Sequence, residues 1–476
     1  MRSTEGSQPR SRIHLAVMAA LFAMMGFACL AALGVVSVQI GITIVAGMLT
    51  FFLLTRASRQ AYWILFCIGV ASTAFGHRGV YLGRWTYFVP LQVIVYALWL
   101  QMLTRSKRQR EQTPRTIPLT LKILAVWTVL HGLAFLVTGT DWDSILSWSA
   151  PFVLGLPTFY VLGDLVARRE ELDSLLIILM LVAIFVSALG VLEYYVPALS
   201  RALPSFFTRL PSTAQGGFLR ASFSFWGYPS AAILCSFGAL IAYREIAHPS
   251  SKGLFWIALL AFILGGVAVY VSGQRASWVG LALGLFVIGL FGGARATLIG
   301  VAAALGAMAL PGVFWERFKS VSDLLLNKVV WDGSIAGRLE RFVWGWDAMV
   351  RSPLFGVGYG HWQTHDVFLE IGSTLGIIPV VLFGAFVIHL IWRVAQVALH
   401  GPTVEVRRYG WLFMALVLNS IEQLAVETFL FTPPFAAPQW VLLALAWYLP
   451  DILGMQPAQT VNRRSSQLSM HWRRIA

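Results

Sequence analysis

The sequence predicts an all-α fold: a polytopic transmembrane helical bundle of about 14 spans, within a range of about 12–14, carrying one large helical loop on its outer side. Three observations predict it. Hydrophobic residues make up 58% of the 476-residue chain and charged residues only 12%, with a mean hydropathy of +0.73. That balance excludes an ordinary soluble globular domain. Apolar stretches close to the ~20 residues needed to cross a hydrocarbon core recur along the whole chain, and no long polar segment is left for a separate soluble domain. Lysine and arginine concentrate in alternate connections between these stretches, as orientation in a bilayer requires.

In chain order the spans fall at roughly 13–32, 35–54, 61–76, 85–103, 118–138, 145–166, 174–195, 228–243, 254–272, 276–293, 296–311, 367–391, 409–430 and 437–450. The first follows Arg10 and Arg12 in the manner of a signal peptide. A second apolar stretch comes at once, so we read the first as a retained helix. Several spans are short or glycine-rich, which suits tilted or re-entrant segments. Cys29, Cys67 and Cys235 each sit inside a span among apolar neighbours and read as small buried side chains, not as a disulfide set or a metal cage. No internal repeat stands out, which disfavours transporter folds built from duplicated halves.

With the N-terminus in the cytoplasm, 23 of the 35 lysines and arginines fall in inner segments. Six of the remaining 12 lie in one long loop, which counts little in the orientation rule. Both termini then face the cytoplasm. The formal charge of +14 is explained by these connections, and no basic stripe with interleaved aromatics points to nucleic acid. Three regions open on the outer side: Val196–Gly227, the tight turn around Gly273-Gln274-Arg275, and the loop Gly312–Asp366. Within that loop, 313–326 has apolar residues at helical spacing and reads as a helix on the membrane surface. A second helix runs over 334–353, capped by Ser334 and ended by Pro353, with Trp344 and Trp346 suited to the headgroup zone. The glycine-rich GVGYG at 356–360 turns the chain back towards the membrane. It is not a phosphate-binding fingerprint, because no strand precedes it.

Several polar residues at this outer side are candidates for chemistry. Arg275 stands between two spans with almost no loop. An arginine so close to hydrocarbon costs free energy unless an anion offsets it. It serves either as a diphosphate ligand, through bidentate guanidinium bonds, or as a side chain snorkelling to headgroups. Arg220 precedes a span on the same side. Arg338 and Arg341 lie three apart on the loop helix and can equally pair with Glu340 or Asp347. His365 stands at the outer lip of a span, where histidine is the side chain suited to taking a proton near neutral pH. His361 is four residues away, but the residues between are not a zinc pattern and the neighbouring glycines argue against a helix. The Asp141-Trp142-Asp143 pair resembles a metal-binding D-x-D and reads better as a solvated outer turn. Glu422 and Glu427 interrupt the thirteenth span, and acids there bind protons or pair with an arginine of the cavity. Glu193 is a weaker candidate of the same kind.

Four stretches in order resemble the O-antigen ligase and polymerase superfamily of bacterial membrane glycan transferases. They are RASFSFWGYPSAAIL from Arg220, SGQRASW around Arg275, GRLERFVWGWDAMVRSPLFGVGYG through the loop helix, and HDVFLEIGSTLGIIP from His365. The likeness covers about residues 215–390 and divides the chain into N-terminal helices (1–214), a ligase-like catalytic region (215–391, with loop 312–366) and C-terminal helices with a basic tail (392–476). By that resemblance, Arg220 and Arg275 match arginines that hold the lipid diphosphate, His365 matches the catalytic histidine, and Arg338 matches the loop-helix arginine. Arg341, Asp366 and Glu422 join them as substrate-binding candidates. Asp366 stands where the family usually has asparagine; an acid there orients the imidazole or caps the helix.

The resemblance implies a metal-independent inverting glycosyltransferase with no cofactor, in the bacterial inner membrane, its active site periplasmic. The donor it implies is a glycan on undecaprenyl diphosphate, and the acceptor is a hydroxyl of a lipid or glycan. Ligation to an acceptor lipid and polymerisation on the lipid carrier use the same donor and are both open. A secondary transporter or lipid-linked glycan flippase is a third reading, which would place ionisable residues deep in several spans.

Overall fold

The computed structural model describes residues 59–75, 80–81, 87–103, 116–196, 198, 212–213, 219–221, 223, 228–308, 333–360, 364–427 and 429–455. The expected spans at 13–32 and 35–54, the loop helix at 313–326, Cys29, His361 and the side chain of Arg220 lie outside the described residues.

The described chain is helical. Its elements are α1 (Arg59–Ser72), α2 (Pro90–Leu103), α3 (Leu119–Val137), α4 (Trp142–Leu165), α5 (Arg169–Tyr195), α6 (Tyr228–Ala247) and α7 (Lys252–Ser272), then α8 (Arg275–Phe291), α9 (Ala294–Met308), α10 (Gly333–Arg351), α11 (Val367–Leu375), α12 (Ile377–His400), α13 (Val404–Leu424) and α14 (Pro433–Ile452). Among the described residues the strands are four two-residue segments, paired antiparallel as Val80–Tyr81 with Tyr87–Phe88 and Ser212–Thr213 with Leu219–Arg220. Twelve of the fourteen expected spans therefore have a helical counterpart. Among the described residues, five helices are each long and apolar enough to cross a membrane: α3, α4, α5, α7 and α12. α2, α8 and the first part of α9 are shorter apolar helices.

Close approach is achieved with small residues and filled with aromatic ones. α4 carries Pro151 inside it and turns at Leu154. Proline removes a backbone donor and bends a helix. Carbonyls at the bend are taken up by side chains instead: Tyr96 O–H donates to Ala150 O (2.9 Å) and Trp440 Nε1–H to Pro151 O (3.1 Å). A Cβ on Gly155 would lie 2.9 Å from the Trp440 ring, so α14 fits against α4 only with glycine there. Phe152, Phe159, Phe383, Phe386 and Trp440 interlock at ring separations of 5.8–6.4 Å between α4, α12 and α14. Cys67 and Cys235 are fully buried and not in a disulfide, as the sequence suggests.

One expected span, 367–391, is not a single helix. α11 ends at Leu375 and α12 begins at Ile377, with Gly376 between them at φ 92°, ψ 179°. That conformation is open essentially only to glycine. The segment 353–360 docks into the break: Ile377 N–H donates to Pro353 O (2.8 Å) and Val357 N–H to Ser373 O (2.6 Å). The GVGYG turn is thus a packed element. Gly356, Gly358 and Gly360 all have positive φ, and a Cβ on Gly358 would strike the Phe135 ring at 2.0 Å. Tyr359 sits edge-on to Phe135 and Trp148.

The helices define two ends of the bundle. At one, Arg59 donates to Leu165 O (2.8 Å), Arg393 pairs with Asp451 (3.0 Å), and Arg169 pairs with Glu405. This is the basic end. The opposite end carries the α3–α4 and α7–α8 turns, the C-terminus of α13, and α10–α11. α10 packs on α11 through Gly345 and Met349. It leaves Leu339, Phe342, Val343, Trp346 and Val350 exposed, an apolar stripe at helical spacing that suits a helix lying on a membrane surface.

Gly376→Ala combines two penalties. The backbone strain is about 1–3 kcal/mol, and the new Cβ would meet Leu354 O at 2.2 Å, adding about 1–3 kcal/mol of overpacking. Gly139→Ala has the strain alone, because nothing lies within 4 Å of its Cβ position. Thermal unfolding in detergent is expected to lower the melting temperature of Gly376→Ala well below that of Gly139→Ala.

Candidate functional site

The site grows from the start of α11. Asp366 is the N-cap: its Oδ1 accepts from Leu369 N–H at 2.7 Å, the expected use of a carboxylate before an apolar helix. One turn on, Glu370 is 1% exposed. Its carboxylate accepts from Trp148 Nε1–H (3.0 Å) and from Thr364 N–H (2.8 Å), with the Thr364 hydroxyl at 3.1 Å. The same hydroxyl lies 2.8 Å from Asp366 O. Thr364 and Asp366 are therefore both pinned, and His365 lies between them. His365 has φ 59°, the left-handed region that non-glycine residues seldom adopt. Strain of this kind concentrates at functional sites.

The imidazole of His365 is held at both nitrogens. Nδ1 lies 3.1 Å from Glu427 Oε2, and Nε2 meets Arg341 Nη1. A guanidinium only donates, so Nε2 is the unprotonated nitrogen and Nδ1–H donates to Glu427. Glu427 Oε1 accepts in turn from Arg338 Nη2. Arg338 and Arg341, three apart on α10, thus meet a carboxylate and an imidazole distant in sequence. The quartet is half-open: side-chain exposure is 27% for His365, 41% for Arg338 and 11% for Glu427. It lies between α10, the start of α11 and the segment after α13.

The other candidates distribute as follows. Arg275 is the first residue of α8, after Gly273 at φ 62°. α8 and α13 pack antiparallel: a Cβ on Gly280 would touch Asn419 and Glu422, and Phe291 stacks on Trp411 at 4.1 Å. That register carries Arg275 to the same end of the bundle as Glu427. Arg220 is in the second strand of a two-residue ladder, and the next residue, Ala221, donates its N–H to Val271 O (2.9 Å) near the α7–α8 turn. The backbone of Arg220 is therefore beside the turn that bears Arg275. Glu422 Oε2 is buried with no hydrogen-bond partner among the described residues. It is Glu427, beyond the end of α13, that meets histidine and arginine. Asp141 caps α4, accepting from Ser144 N–H (3.2 Å), and Asp143 is buried. Glu193 is buried at the end of α5.

Two residues at the site escaped the sequence reading. Glu370 was hidden inside the apolar run after His365, although a lone acid there is a signal in itself. His131 in α3, a lone histidine in an apolar helix, is the other. Its Nε2 lies 2.7 Å from Phe355 O and its Nδ1 3.3 Å from the Tyr359 hydroxyl, bracing the glycine turn that precedes His365. No protein-family model matches the chain, and no curated protein matches it.

Burial, with Glu370 as a smaller contributor, pushes the Asp366 carboxyl above its usual range, against the backbone donors Leu369 and Phe368. A raised folded-state value means that ionised Asp366 weakens the fold as pH rises through it. Asparagine keeps the capping oxygen without the charge. Asp366→Asn is expected to match or exceed the parent melting temperature, with the gap widening from about pH 4 to pH 7. Asp366→Ala loses the cap, about 1 kcal/mol, and melts lower at both.

Proposed function

We propose that the chain is a membrane glycan transferase of the O-antigen ligase type, acting on a glycan linked to undecaprenyl diphosphate at the outer face of the bacterial inner membrane. The observation that carries this reading is the His365 quartet: an imidazole oriented by Glu427, with two guanidinium groups within its reach, at one end of a helical bundle. Supporting it are the proximity of the Arg220 backbone to the turn that bears Arg275, and the exposed apolar stripe of α10, which suits a site working on a lipid-borne substrate. A transporter would bind near the midplane between broken helices, whereas this cluster is at the helix ends.

In the proposed reaction the acceptor O–H gives its proton to His365 Nε2 as its oxygen forms a bond to the anomeric carbon. The bond from that carbon to the phosphate oxygen breaks with inversion, and undecaprenyl diphosphate leaves with the electron pair. Glu427 accepts the Nδ1–H bond throughout and stabilises the imidazolium, acting as a positioning residue. The guanidinium groups of Arg275 and Arg220, with Arg338 and Arg341, balance the charge that develops on the diphosphate. In the unliganded protein Arg341 occupies the nitrogen that must take the proton. Productive binding therefore requires Arg341 to turn from His365 to a phosphate oxygen, so that donor binding frees the base.

His365→Ala and Arg275→Ala are each expected to abolish glycan transfer in cells at normal protein level. Loss of general-base help is worth about 10²–10⁴-fold. Normal transfer by either variant overturns the reading. Glu427→Gln is expected to lower kcat more than it raises KM. Transfer is expected to persist in EDTA; loss restored by a divalent ion would place a metal in the reaction. Ligase and polymerase separate by the glycan ladder of a deletion strain: a ligase leaves polymer stranded on its carrier, a polymerase leaves single repeats.

A further inference from the structure

At the basic end, far from His365, the bundle has a second polar concavity. α13 is 21 residues long, about 30 Å at 1.5 Å per residue, and it separates the two. The cavity has a volume of about 430 Å³ and lies where the C-terminus of α6, the α8–α9 turn and the N-terminus of α13 meet. Three guanidinium groups line it, those of Arg244, Arg295 and Arg408, along with His248 and Ser250. The one acid on its wall, Glu405, is already paired with Arg169. The wall is thus strongly positive.

These arginines are incompletely satisfied. Arg244 is 9% exposed, pairs with Glu245 at 3.1 Å and lies 4.2 Å from the Tyr409 ring centroid, yet its Nε is buried without a hydrogen-bond partner. Arg408 Nε is buried and unpartnered as well. Arg295 and Arg408 form no ion pair among the described residues. Their fields converge on His248. Burial, together with Arg408, Arg244 and Arg295, holds its imidazole below the usual range against a backbone bond to Gly292 O at 2.7 Å. Arg244 is buried, Arg408 half-buried and Arg295 exposed. Like charges held around one concavity repel one another, and an anion with several oxygens offsets that cost through charge-assisted bonds.

We infer that this cavity is a binding site for a phosphate group, held by Arg244, Arg295 and Arg408. The site is independent of the chemistry at the other end. Two sources present that group at a membrane surface: the headgroup of an anionic lipid, and a phosphate-bearing solute.

The test uses the full-length protein in nanodiscs. One arm titrates inorganic phosphate and pyrophosphate into discs of phosphatidylcholine alone. The other compares those discs, without added phosphate, with discs containing phosphatidylglycerol. Thermal unfolding is followed for the wild type and for the variant carrying Arg295→Gln and Arg408→Gln. The wild type is expected to melt higher in at least one arm, and the variant to bind about tenfold more weakly per guanidinium removed, the loss of one charge-assisted bond each. Stabilisation by free phosphate identifies a solute site, and stabilisation by phosphatidylglycerol alone a lipid site. A second readout needs no variant: the His248 imidazole resonance is expected to titrate at higher pH when the anion is bound. No stabilisation in either arm, equal stabilisation of wild type and variant, or an unmoved His248 titration overturns the inference.

Discussion

A buried carboxylate governs one end of this protein. Glu370 is almost fully removed from solvent, and an acid in that position is tolerated only when its oxygens are satisfied. Its donors come from separate parts of the chain: Trp148 from α4, and Thr364 from the segment returning to the membrane. Satisfying the one charge therefore ties α4, the returning segment and α11 together. His365 lies between two pinned neighbours, and its backbone is left-handed. Its ring sits between Glu427 and Arg341.

The second constraint is steric. The returning segment reaches α11 only because Gly356, Gly358 and Gly376 let backbone approach backbone or ring at distances no Cβ allows. Tyr359, wedged among Phe135, His131 and Trp148, anchors the turn laterally. Rigidity here is the product of packing and hydrogen bonding together. A site precise enough to orient an imidazole is built on a segment that would otherwise be a loose loop.

Charge is divided between the two ends of the bundle in different ways. At the His365 end, the guanidinium groups of Arg338 and Arg341 meet a carboxylate and an imidazole. At the other end, Arg169, Arg59 and Arg393 are paired with acids, while Arg244, paired with Glu245, shares one concavity with Arg295 and Arg408. The helices between are apolar, and five of those described are long and apolar enough to cross a bilayer. A charge-rich layer at each end of an apolar middle is the arrangement a membrane imposes on such a chain.

The amino-acid sequence by itself determined the helices. Apolar runs of membrane-spanning length are a local property, set by the transfer free energy of each side chain, and twelve of the fourteen expected spans have a helical counterpart among the described residues. It also marked His365, Arg338, Arg341 and Asp366, because charge beside an apolar run stands out in one dimension. The tertiary structure alone decided which partners they meet. Arg338 finds Glu427 across 89 residues, and a contact of that separation leaves no periodic trace. It favoured Glu427 over Glu422 because α13 ends at Leu424, which leaves one acid in the helix and carries the other to the site. It broke the 367–391 segment at Gly376, since a glycine within an apolar run is ordinary until another part of the chain needs the space beside it.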